Sequence, residues 1–308
     1  MSEDTTPSDR PPTVSVVIPA KNEARNLPAV LAALPATVDD VILVDGASVD
    51  DTVAVARSAR PGIRVVRQGR AGKGNALAAG FAAARGDYIV MIDADGSMDP
   101  GEIDRYVAAL EQGADYAKGS RCVRGGGSAD LTRLRRWGNW SLNLLTNLLL
   151  GTKFTDLCYG YNAFRRGCLT AMALPDATDP RPQWGDGFEI ETLINIRVAS
   201  AGLTVREVPS FESPRRFGTS NLHTFRDGFR VLRTILRERR TILRERRVAL
   251  RGLATTRPAA LGATAGSPVV HPAVPGASRG RDPGLRRLEA GTLPPGSQEW
   301  AVGEGGAA

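Results

Sequence analysis

Short apolar runs alternate with helical segments between Val14 and Gly119, and this alternation is the feature that most constrains the fold. Strands that alternate with helices form βαβ units, which place parallel strands in one sheet with helices on both faces. The sequence therefore predicts an α/β fold with a mostly parallel central sheet. The predicted strands are Val14–Ile18, Val41–Val44, Ile63–Arg67, Tyr88–Ile92 and Asp115–Gly119, and the helices between them are predicted at Ala24–Leu34, Asp51–Ala59, Gly74–Arg85 and Pro100–Gln112.

The second half of the chain is less regular and contains longer helices. Helical patterns cover Arg133–Leu150, Gly187–Ala201 and Asn221–Arg247. Extended segments are predicted at Tyr159–Phe164 and Leu203–Val208. Because no apolar run is long enough to cross a membrane, we expect no integral membrane anchor in the chain.

The two ends of the chain differ in composition from the middle. Residues 1–12 are polar and lack the apolar core of a signal peptide. Residues 251–308 are rich in Gly, Pro, Ala and Thr and have no periodicity. We therefore expect both ends to be disordered and residues 13–250 to form the folded domain. The three cysteines are too few and too scattered for a disulfide framework or a zinc site, which favours a reducing, cytoplasmic compartment.

Two carboxylates follow the fourth predicted strand. Strand residues i and i+2 share a face, so Asp93 and Asp95 can point into one small volume past the strand's end. Carboxylates this close repel each other unless a cation or a hydrogen-bond donor compensates. Mg²⁺ and Mn²⁺ prefer oxygen ligands and often bridge carboxylates to substrate phosphates. The pair is therefore a candidate metal site, although the same pattern occurs by chance in many loops.

Other polar residues are predicted at the same edge, because ligands of parallel sheets bind at the carboxyl ends of strands. Asp45 ends the second strand and suits hydrogen bonds to a base or a ribose. Lys73 lies between two glycines at the start of a helix, where the helix dipole favours an anion; an ordinary turn is the other interpretation. A Walker A loop is excluded because Arg67 and Gly74 occupy positions that need Gly and Ser or Thr. No G-x-G-x-x-G follows the first strand, which argues against a dinucleotide site.

Six segments together carry a family pattern. They are VSVVIPAKNEARNL from Val14, VILVDGASVDDT from Val41, GKGNALAAGFAAARGDYIVMIDADG from Gly72, GSR from Gly119, FTDLCYGYNAFRR from Phe154 and GFEIETLINIRVASAGLTVREVPSFESPRRFGTSNL from Gly187. In this order they resemble the family-2, inverting, GT-A-type glycosyltransferases, and within them the polyprenyl-phosphate (dolichol-phosphate mannose synthase-like) branch. The resemblance implies a Rossmann-like, mostly parallel sheet flanked by helices, with amphipathic interface helices in the C-terminal half. It also implies a nucleotide-sugar half at 13–121 and an acceptor half at 122–250.

The resemblance implies a role for residues in each half. Asp93 and Asp95 would bind Mg²⁺ or Mn²⁺, and Asp156 would lie on the acceptor side. Gly96 and Ser97 occupy positions where the branch often has Leu-Gln, which removes a candidate contact to metal or phosphate. The residues implied to bind the nucleotide sugar are Pro19, Asn22, Glu23, Asp45, Lys73, Asp93 and Arg121, and the basic residues implied in a flexible loop near the site are Arg215 and Arg216.

Two classes of acceptor remain open. A hydroxyl acceptor requires a general base. A phosphate acceptor is already largely dianionic at neutral pH and needs cations around it instead. Helix capping by the carboxylates and solvation of the arginines are the plain alternatives. The base candidates are Asp186, Glu189 and Glu191, with Asp156 as a further catalytic candidate, and the candidate anion-binding residues are Lys118, Arg121, Arg165, Arg215 and Arg216.

Two helices combine arginines with aromatic and aliphatic residues. The helix Arg133–Leu150 begins with three arginines and continues with Trp137, Trp140 and several leucines. The last helix carries Phe225 and Phe229 at helical spacing, and eight arginines against two glutamates follow between residues 230 and 247. Such helices can lie in a membrane interface, and core packing is the other interpretation.

We therefore expect an enzyme that transfers a hexose from a GDP- or UDP-linked sugar to a polyprenyl phosphate. It would bind peripherally at the cytoplasmic face of the membrane. The alternative is a soluble glycosyltransferase that uses an Asp or Glu base on a hydroxyl of a glycan or a small metabolite. A nucleic-acid-binding module is disfavoured, because the chain lacks a recognition motif and aromatic residues interleaved with basic ones.

The last helix contains an exact tandem duplication. The heptapeptide TILRERR occurs at Thr234–Arg240 and again at Thr241–Arg247. A harmless extension of the helix and an enlarged basic surface are both open interpretations.

Overall fold

The structure is a computed structural model that describes residues 10–219 and 223–255, with side chains to residue 248. Disorder was predicted for residues 1–12 and 251–308, and of these, residues 1–9 and 256–308 lie outside the described part of the chain. Residues 251–255 continue the last helix, so that helix passes the domain boundary predicted at residue 250.

A seven-stranded sheet forms the centre of the described part of the chain. Its order is β3-β2-β1-β4-β7-β5-β8, and β6 pairs with β9 in a small second sheet. In the central sheet β7 is antiparallel to β4 and β5, while the other neighbours are parallel. The carboxyl ends of β1, β2, β4 and β5 therefore lie along one edge. The strands are β1 (Val14–Ala20), β2 (Asp40–Asp45), β3 (Arg64–Arg67), β4 (Tyr88–Met91), β5 (Tyr116–Ser120), β6 (Gly127–Ser128), β7 (Asn162–Arg165), β8 (Val205–Pro209) and β9 (Phe211–Glu212).

Helices cover both faces of the sheet because alternate strand residues point to opposite faces. In β1, Val16 and Ile18 join one core cluster while Val17 joins the other. The first cluster packs against α1, α2 and α4, and the second packs against α3, α6 and α7. The helices are α1 (Leu27–Ala32), α2 (Thr52–Ala59), α3 (Lys73–Ala83), α4 (Ile103–Glu111, after a 3-10 turn at Pro100–Glu102), α5 (Arg133–Leu150), α6 (Cys168–Met172), α7 (Ile190–Ser200) and α8 (Thr224–Thr255).

The element boundaries follow local signals. α5 has its predicted bounds because Thr132 caps its start, accepting from the N–H of Arg135 at 3.3 Å, and Gly151 ends it at φ 69°. The extended segment predicted at Tyr159–Phe164 forms a strand only from Asn162 onwards. The elements α6, β6 and β9 were not predicted, because two to five residues are too few to show a period.

α5 buries three polar residues and exposes much of its apolar surface, although Leu142, Leu149 and Leu150 pack partly buried against a core cluster. Asn143 is buried and donates to the backbone carbonyl of Thr155 at 2.5 Å. On the opposite side Trp137, Trp140 and Leu148 are 66%, 59% and 74% exposed. A helix on a soluble domain normally buries its apolar stripe, so core packing is excluded for this face of α5. The buried residues of the helix are Asn139, Asn143 and Thr146.

α3 touches the sheet most closely at Gly80. A Cβ built there lies 2.3 Å from Val17 Cγ1 and 2.9 Å from Val44 Cγ2. We expect Gly80→Ala to lower the free energy of unfolding by about 2 kcal/mol, because overpacking outweighs the helix-propensity gain of about 1 kcal/mol. Gly138→Ala in α5 is the control, since no atom lies within 4 Å of its Cβ, and it should be neutral or stabilising. Urea denaturation measures both variants, and equal effects would contradict this packing.

Candidate active site

The predicted carboxylates meet at the carboxyl edge of the sheet. Glu23 follows β1, Asp45 ends β2, and Asp93 and Asp95 follow β4. β1 pairs with β2 on one side and with β4 on the other, both in parallel. Successive strands are therefore added on one side of β1 up to β3 and on its other side from β4 onwards. Open α/β sheets bind their ligands at such a switch point. The fold therefore brings these four carboxylates to the edge of the sheet where such folds bind ligands.

The loops after β1 and β2 are tied to each other by hydrogen bonds. Asn22, at φ 59°, accepts from the N–H of Val49 at 2.8 Å and donates its own N–H to Ser48 Oγ at 3.0 Å. Asp45 Oδ1 accepts from the N–H of Ser48 at 3.1 Å. Pro19 lies in β1 directly before the first of these loops. Pro19, Asn22 and Asp45 are thus brought together, and their binding of a nucleoside stays a prediction.

Lys73 connects Asp93 to a carboxylate of another helix. Its Nζ lies 2.6 Å from Asp93 Oδ1 and 2.6 Å from Glu191 Oε1 of α7. Burial acts to lower the pKa of Lys73, but the two carboxylates outweigh burial and raise that pKa. Burial raises the pKa of Asp93 to about 6, opposed by Lys73 and assisted by the charges of Asp95 and Glu191. A largely buried ammonium group therefore holds this part of the cluster together.

The segment after β9, which contains Arg215 and Arg216, lies over Asp95. The N–H of Arg216 donates to the backbone carbonyl of Asp95 at 3.3 Å, and Arg215 Nη1 lies 3.1 Å from Asp95 Oδ2. Arg215 also pairs with Glu23. A Cβ at Gly96 would lie 3.1 Å from Arg216 Cδ, and Gly96 has φ 76°, so a larger residue there would be strained and would crowd this segment. Both predicted loop arginines thus lie at the carboxylate pair.

The oxygen donors at this edge fit a hard divalent cation that shares its ligands with a substrate. Asp93 and Asp95 have side chains 29% and 20% exposed, so their carboxylates can be reached. Within residues 10–219 and 223–255, no group of three or more His, Cys, Asp or Glu residues could hold a metal ion. Two carboxylates would leave coordination positions for phosphate oxygens and water, which is the way Mg²⁺ is usually bound.

Two glycines let α3 begin directly against the loop that precedes α7. The N–H of Gly74 donates to the carbonyl of Asp186 at 2.8 Å. A Cβ at Gly72 would lie 2.0 Å from that carbonyl oxygen, and a Cβ at Gly74 would lie 1.7 Å from the carbonyl oxygen of Gly185. The helix start that was predicted to attract an anion is therefore partly occupied by a backbone carbonyl. The glycines also bring Lys73 within reach of α7.

Asp186 and Glu189 are each paired with an arginine from a distant part of the chain. Asp186 Oδ1 lies 2.7 Å from Arg70 Nη2, and the Arg70 side chain is 4% exposed. Glu189 Oε2 lies 3.2 Å from Arg230 Nε, and Glu189 also accepts from two backbone N–H groups of its own loop. A general base needs a lone pair within reach of the acceptor's proton. The structure shows both carboxylates in structural contacts, and their catalytic role stays a prediction.

Asp156 lies in a buried network with Arg121. Arg121 Nε lies 2.7 Å from Asp156 Oδ2, and Arg121 Nη1 lies 2.9 Å from Glu212 Oε2 of β9. Asn139 of α5 donates to Asp156 Oδ1 at 2.9 Å. Burial acts to raise the pKa of Asp156, but Arg121 outweighs burial and lowers it. This network joins α5 to the strand that leads into the segment over Asp95.

Arg165 lies at the other edge of the sheet. Since β7 is antiparallel to β4, Arg165 pairs with Tyr88, the first residue of β4. It donates to the carbonyls of Ala114 and Leu110 at 3.1 and 2.6 Å. The length of β4 separates it from Asp93. The prediction that Arg165 binds the acceptor is corrected by this position.

Some residues of the site were not predicted from the sequence. Arg70, Arg230 and Glu212 each pair with a predicted site residue. Arg70 and its partner are 116 positions apart, and no local pattern indicates such a contact. Glu191 was considered only as a base, whereas its carboxylate contacts Lys73.

Comparison with known proteins identifies relatives of this chain. Residues 15–171 match the model of the family described as Glycosyl transferase family 2. The undecaprenyl-phosphate mannosyltransferase of Micrococcus luteus is 36% identical over 218 residues, which cover 68% of this chain and 87% of that protein. The polyprenol monophosphomannose synthase of Mycolicibacterium smegmatis is 35% identical over 217 residues, which cover 67% of this chain and 80% of that protein.

Solved structures with the same architecture include glucosyl-3-phosphoglycerate synthase from Mycobacterium tuberculosis. The protein in its complex with Mn²⁺, uridine-diphosphate-glucose and phosphoglyceric acid has 25% sequence identity to this chain and superposes with a TM-score of 0.55. The match covers 74% of this chain and 80% of that chain. A second complex, with phosphoglyceric acid, gives a TM-score of 0.57 at 25% identity. The predicted GT-A-type α/β fold is confirmed.

The pairing of Asp186 predicts a loss of stability when its charge is removed. Asp186→Asn leaves the buried guanidinium of Arg70 without its counter-charge, so we expect the free energy of unfolding to fall by about 3 kcal/mol. The control is Asp130→Asn, which breaks a partly exposed pair with Arg135 at 2.9 Å and should cost less than about 1 kcal/mol. Chemical denaturation followed by circular dichroism measures both variants. An Asp186→Asn variant that is fully stable but inactive would instead indicate a general base.

Proposed function

We propose that this chain, which belongs to glycosyl transferase family 2, transfers a hexose from a nucleotide sugar to a polyprenyl phosphate at a membrane surface. It is a glycosyltransferase, as predicted. Its two relatives at 35–36% identity are named for transfer to undecaprenyl phosphate and for synthesis of polyprenol monophosphomannose. These relatives confirm the predicted resemblance to the polyprenyl-phosphate branch. The sugar, the base of the donor and the acceptor of this chain are part of the proposal.

The observation that carries the choice of acceptor is that each predicted catalytic carboxylate is paired with a basic side chain, which is Lys73 for Glu191 and an arginine for the others. Asp186 contacts Arg70, Glu189 contacts Arg230, and Asp156 contacts Arg121. A hydroxyl acceptor would need one of these carboxylates as a free base. A phosphate acceptor is already ionised and requires cations instead. The arginines of the segment over Asp95 supply such cations beside the carboxylate pair, which supports a phosphate acceptor.

On the donor side, the carboxylate pair suits a metal ion and a diphosphate. Asp93 and Asp95 would hold Mg²⁺ or Mn²⁺, which when bound would stabilise the negative charge that grows on the leaving diphosphate. Lys73 orients Asp93 through their 2.6 Å contact. Asp45 would accept hydrogen bonds from the ribose or the base. Arg215 bridges Glu23 and Asp95 and would exchange these contacts for oxygens of the acceptor phosphate when the acceptor binds.

The exposed face of α5 supports binding at a membrane surface. No helix within the described residues has the length and hydropathy needed to cross a membrane. Trp137 and Trp140 are nevertheless 66% and 59% exposed on a helix that begins with three arginines. Aromatic and aliphatic side chains with a basic rim suit the interface between headgroups and acyl chains. Peripheral binding through this face would bring the site to a lipid-linked acceptor.

A transferase that acts on a hydroxyl group is the second candidate. The observation that favours it is the similarity to the synthase solved with phosphoglyceric acid, at 25% identity. In this case Asp186 or Glu189 must release its arginine when substrates bind, so that the carboxylate can accept a proton.

Transfer of a labelled sugar to a lipid tests the proposal. Purified protein is mixed with Mg²⁺ or Mn²⁺, a panel of radiolabelled GDP- and UDP-sugars and a short polyprenyl phosphate, and the lipid is extracted into butanol. We expect one sugar to enter the organic phase. Asp95→Ala should reduce this transfer by at least about 100-fold, because charge on the leaving diphosphate loses its stabilisation. Chelation of the metal should have a similar effect on the wild type.

The control variant is Asp130→Ala, which removes an aspartate from an exposed loop pair and should transfer normally. Label that stays in water although the donor binds would overturn the lipid-phosphate acceptor and favour the hydroxyl acceptor. Equal transfer by Asp95→Ala and the wild type would contradict the role assigned to the carboxylate pair.

A further inference from the structure

The two copies of TILRERR in α8 have the same sequence but different surroundings. In the first copy Thr234 and Ile235 are 0% exposed and Glu238 is 4% exposed. Ile235 packs in a core cluster between α7, α8 and the chain after α5. Glu238 Oε2 lies 2.9 Å from Arg197 Nε of α7. The first copy therefore fastens the helix to the domain by its inner face.

The second copy repeats these residues without most of their contacts. Thr241 and Glu245, which correspond to Thr234 and Glu238, are exposed, and only Ile242 is half-buried. Glu245 forms no ion pair with the described residues, whereas Glu238 does. Thr241 and Glu245, two of the three inner positions of the second copy, thus do not attach the helix to the domain.

The outer face is what the second copy keeps. Seven residues make two helical turns to within about 20°, so Leu243 continues the line of Leu236, and the two leucines are 41% and 40% exposed. Phe229 and Phe225 lie on the same line about two and three turns before Leu236 and are 67% and 81% exposed. Exposed arginines flank this line in both copies, at Arg239, Arg240, Arg246 and Arg247.

We propose that the second copy lengthens a lipid-binding stripe on α8 and that its partner is a bilayer surface rich in anionic phospholipids. Seven residues add about 10 Å to the helix. The combination of apolar side chains at the centre with arginines at both sides fits a bilayer, where the apolar groups enter the acyl boundary and the arginines meet anionic headgroups. A nucleic acid would use the arginines but leave the line of Phe and Leu in water. This inference rests on the proposed function only in that the acceptor is taken to be lipid-linked.

Vesicle sedimentation of the full-length chain tests the proposal. The variant lacks residues 241–247, and because seven residues are close to two turns, the rest of the helix keeps its orientation. We expect the deletion to lower partitioning onto phosphatidylcholine vesicles that contain phosphatidylglycerol by about tenfold, since each arginine near an anionic surface contributes several-fold. Partitioning onto phosphatidylcholine alone should change much less.

Two substitution variants serve as controls. The first tests whether the deletion acts through a folding defect, and the second tests whether any loss of positive charge has the same effect. Leu243→Ser with Arg246→Gln and Arg247→Gln keeps the length of the helix and should reproduce most of the loss. Arg57→Gln with Arg85→Gln removes two exposed charges from elsewhere on the domain and should leave partitioning unchanged. An equal loss in this second variant, or unchanged partitioning of the deletion variant, would overturn the proposal. It would equally be overturned if the deletion lowered binding to duplex oligonucleotides and not to vesicles.

Sugar transfer to a short, water-soluble polyprenyl phosphate separates this inference from the proposed function. The deletion variant should retain wild-type turnover with this acceptor, because residues 241–247 make no contact with the carboxylate edge. If neither protein transfers sugar while the difference in vesicle binding persists, the proposed function fails and the lipid-binding stripe is supported.

Discussion

The carboxylates at the sheet edge can be close together only because two cations bridge them. Lys73 joins Asp93 to Glu191, with both distances at 2.6 Å, and Arg215 joins Asp95 to Glu23. Without these bridges, like charges at this separation would repel each other. The contact with Glu191 in turn requires that α3 begin against the loop before α7, which only a Gly-Lys-Gly sequence allows at this approach. The glycines of this motif therefore allow α3 to approach the loop before α7, and this approach lets Lys73 contact Glu191.

The same principle binds the two predicted halves of the chain into one domain. Arg70 of the first half holds Asp186 of the second, and Arg121 holds Asp156 and Glu212. Both core clusters also contain residues from both halves. A buried ion pair contributes little net stability, but removal of one partner leaves an uncompensated charge and is costly. These pairs consequently fix how the second half lies against the carboxylate edge more than they stabilise the fold.

The sequence could predict what local periodicity and strand ends determine. The apolar runs of β1, β2 and β4 predicted the parallel sheet. The position of Asp93 at the end of a strand predicted the edge of the sheet at which the candidate site lies. The direction of β7 has no local signal, and for this reason Arg165 was expected at the wrong edge. The partner of Asp186 lies 116 positions away, so the pair depends on tertiary packing that no spacing rule encodes. Periodicity also showed that α5 is amphipathic, but it could not show which face is buried.

The buried face of α5 is polar because of what lies beneath it. Asn139 donates to Asp156, and Asn143 donates to the chain at Thr155, so the fully buried positions of this helix cover polar backbone and a charged pair. Leu142, Leu149 and Leu150 pack beside them, partly buried, against a core cluster. An apolar inner face there would leave those groups without hydrogen bonds, at a cost of about 1–3 kcal/mol each. The other apolar residues of α5 lie on the outer face, where Trp137 is 66% exposed. Asp156 is thus in contact both with the helix that presents this apolar surface and with Arg121, whose other partner, Glu212, directly precedes the segment over Asp95. The same buried carboxylate therefore connects Asn139 of α5 to the strand that leads into that segment.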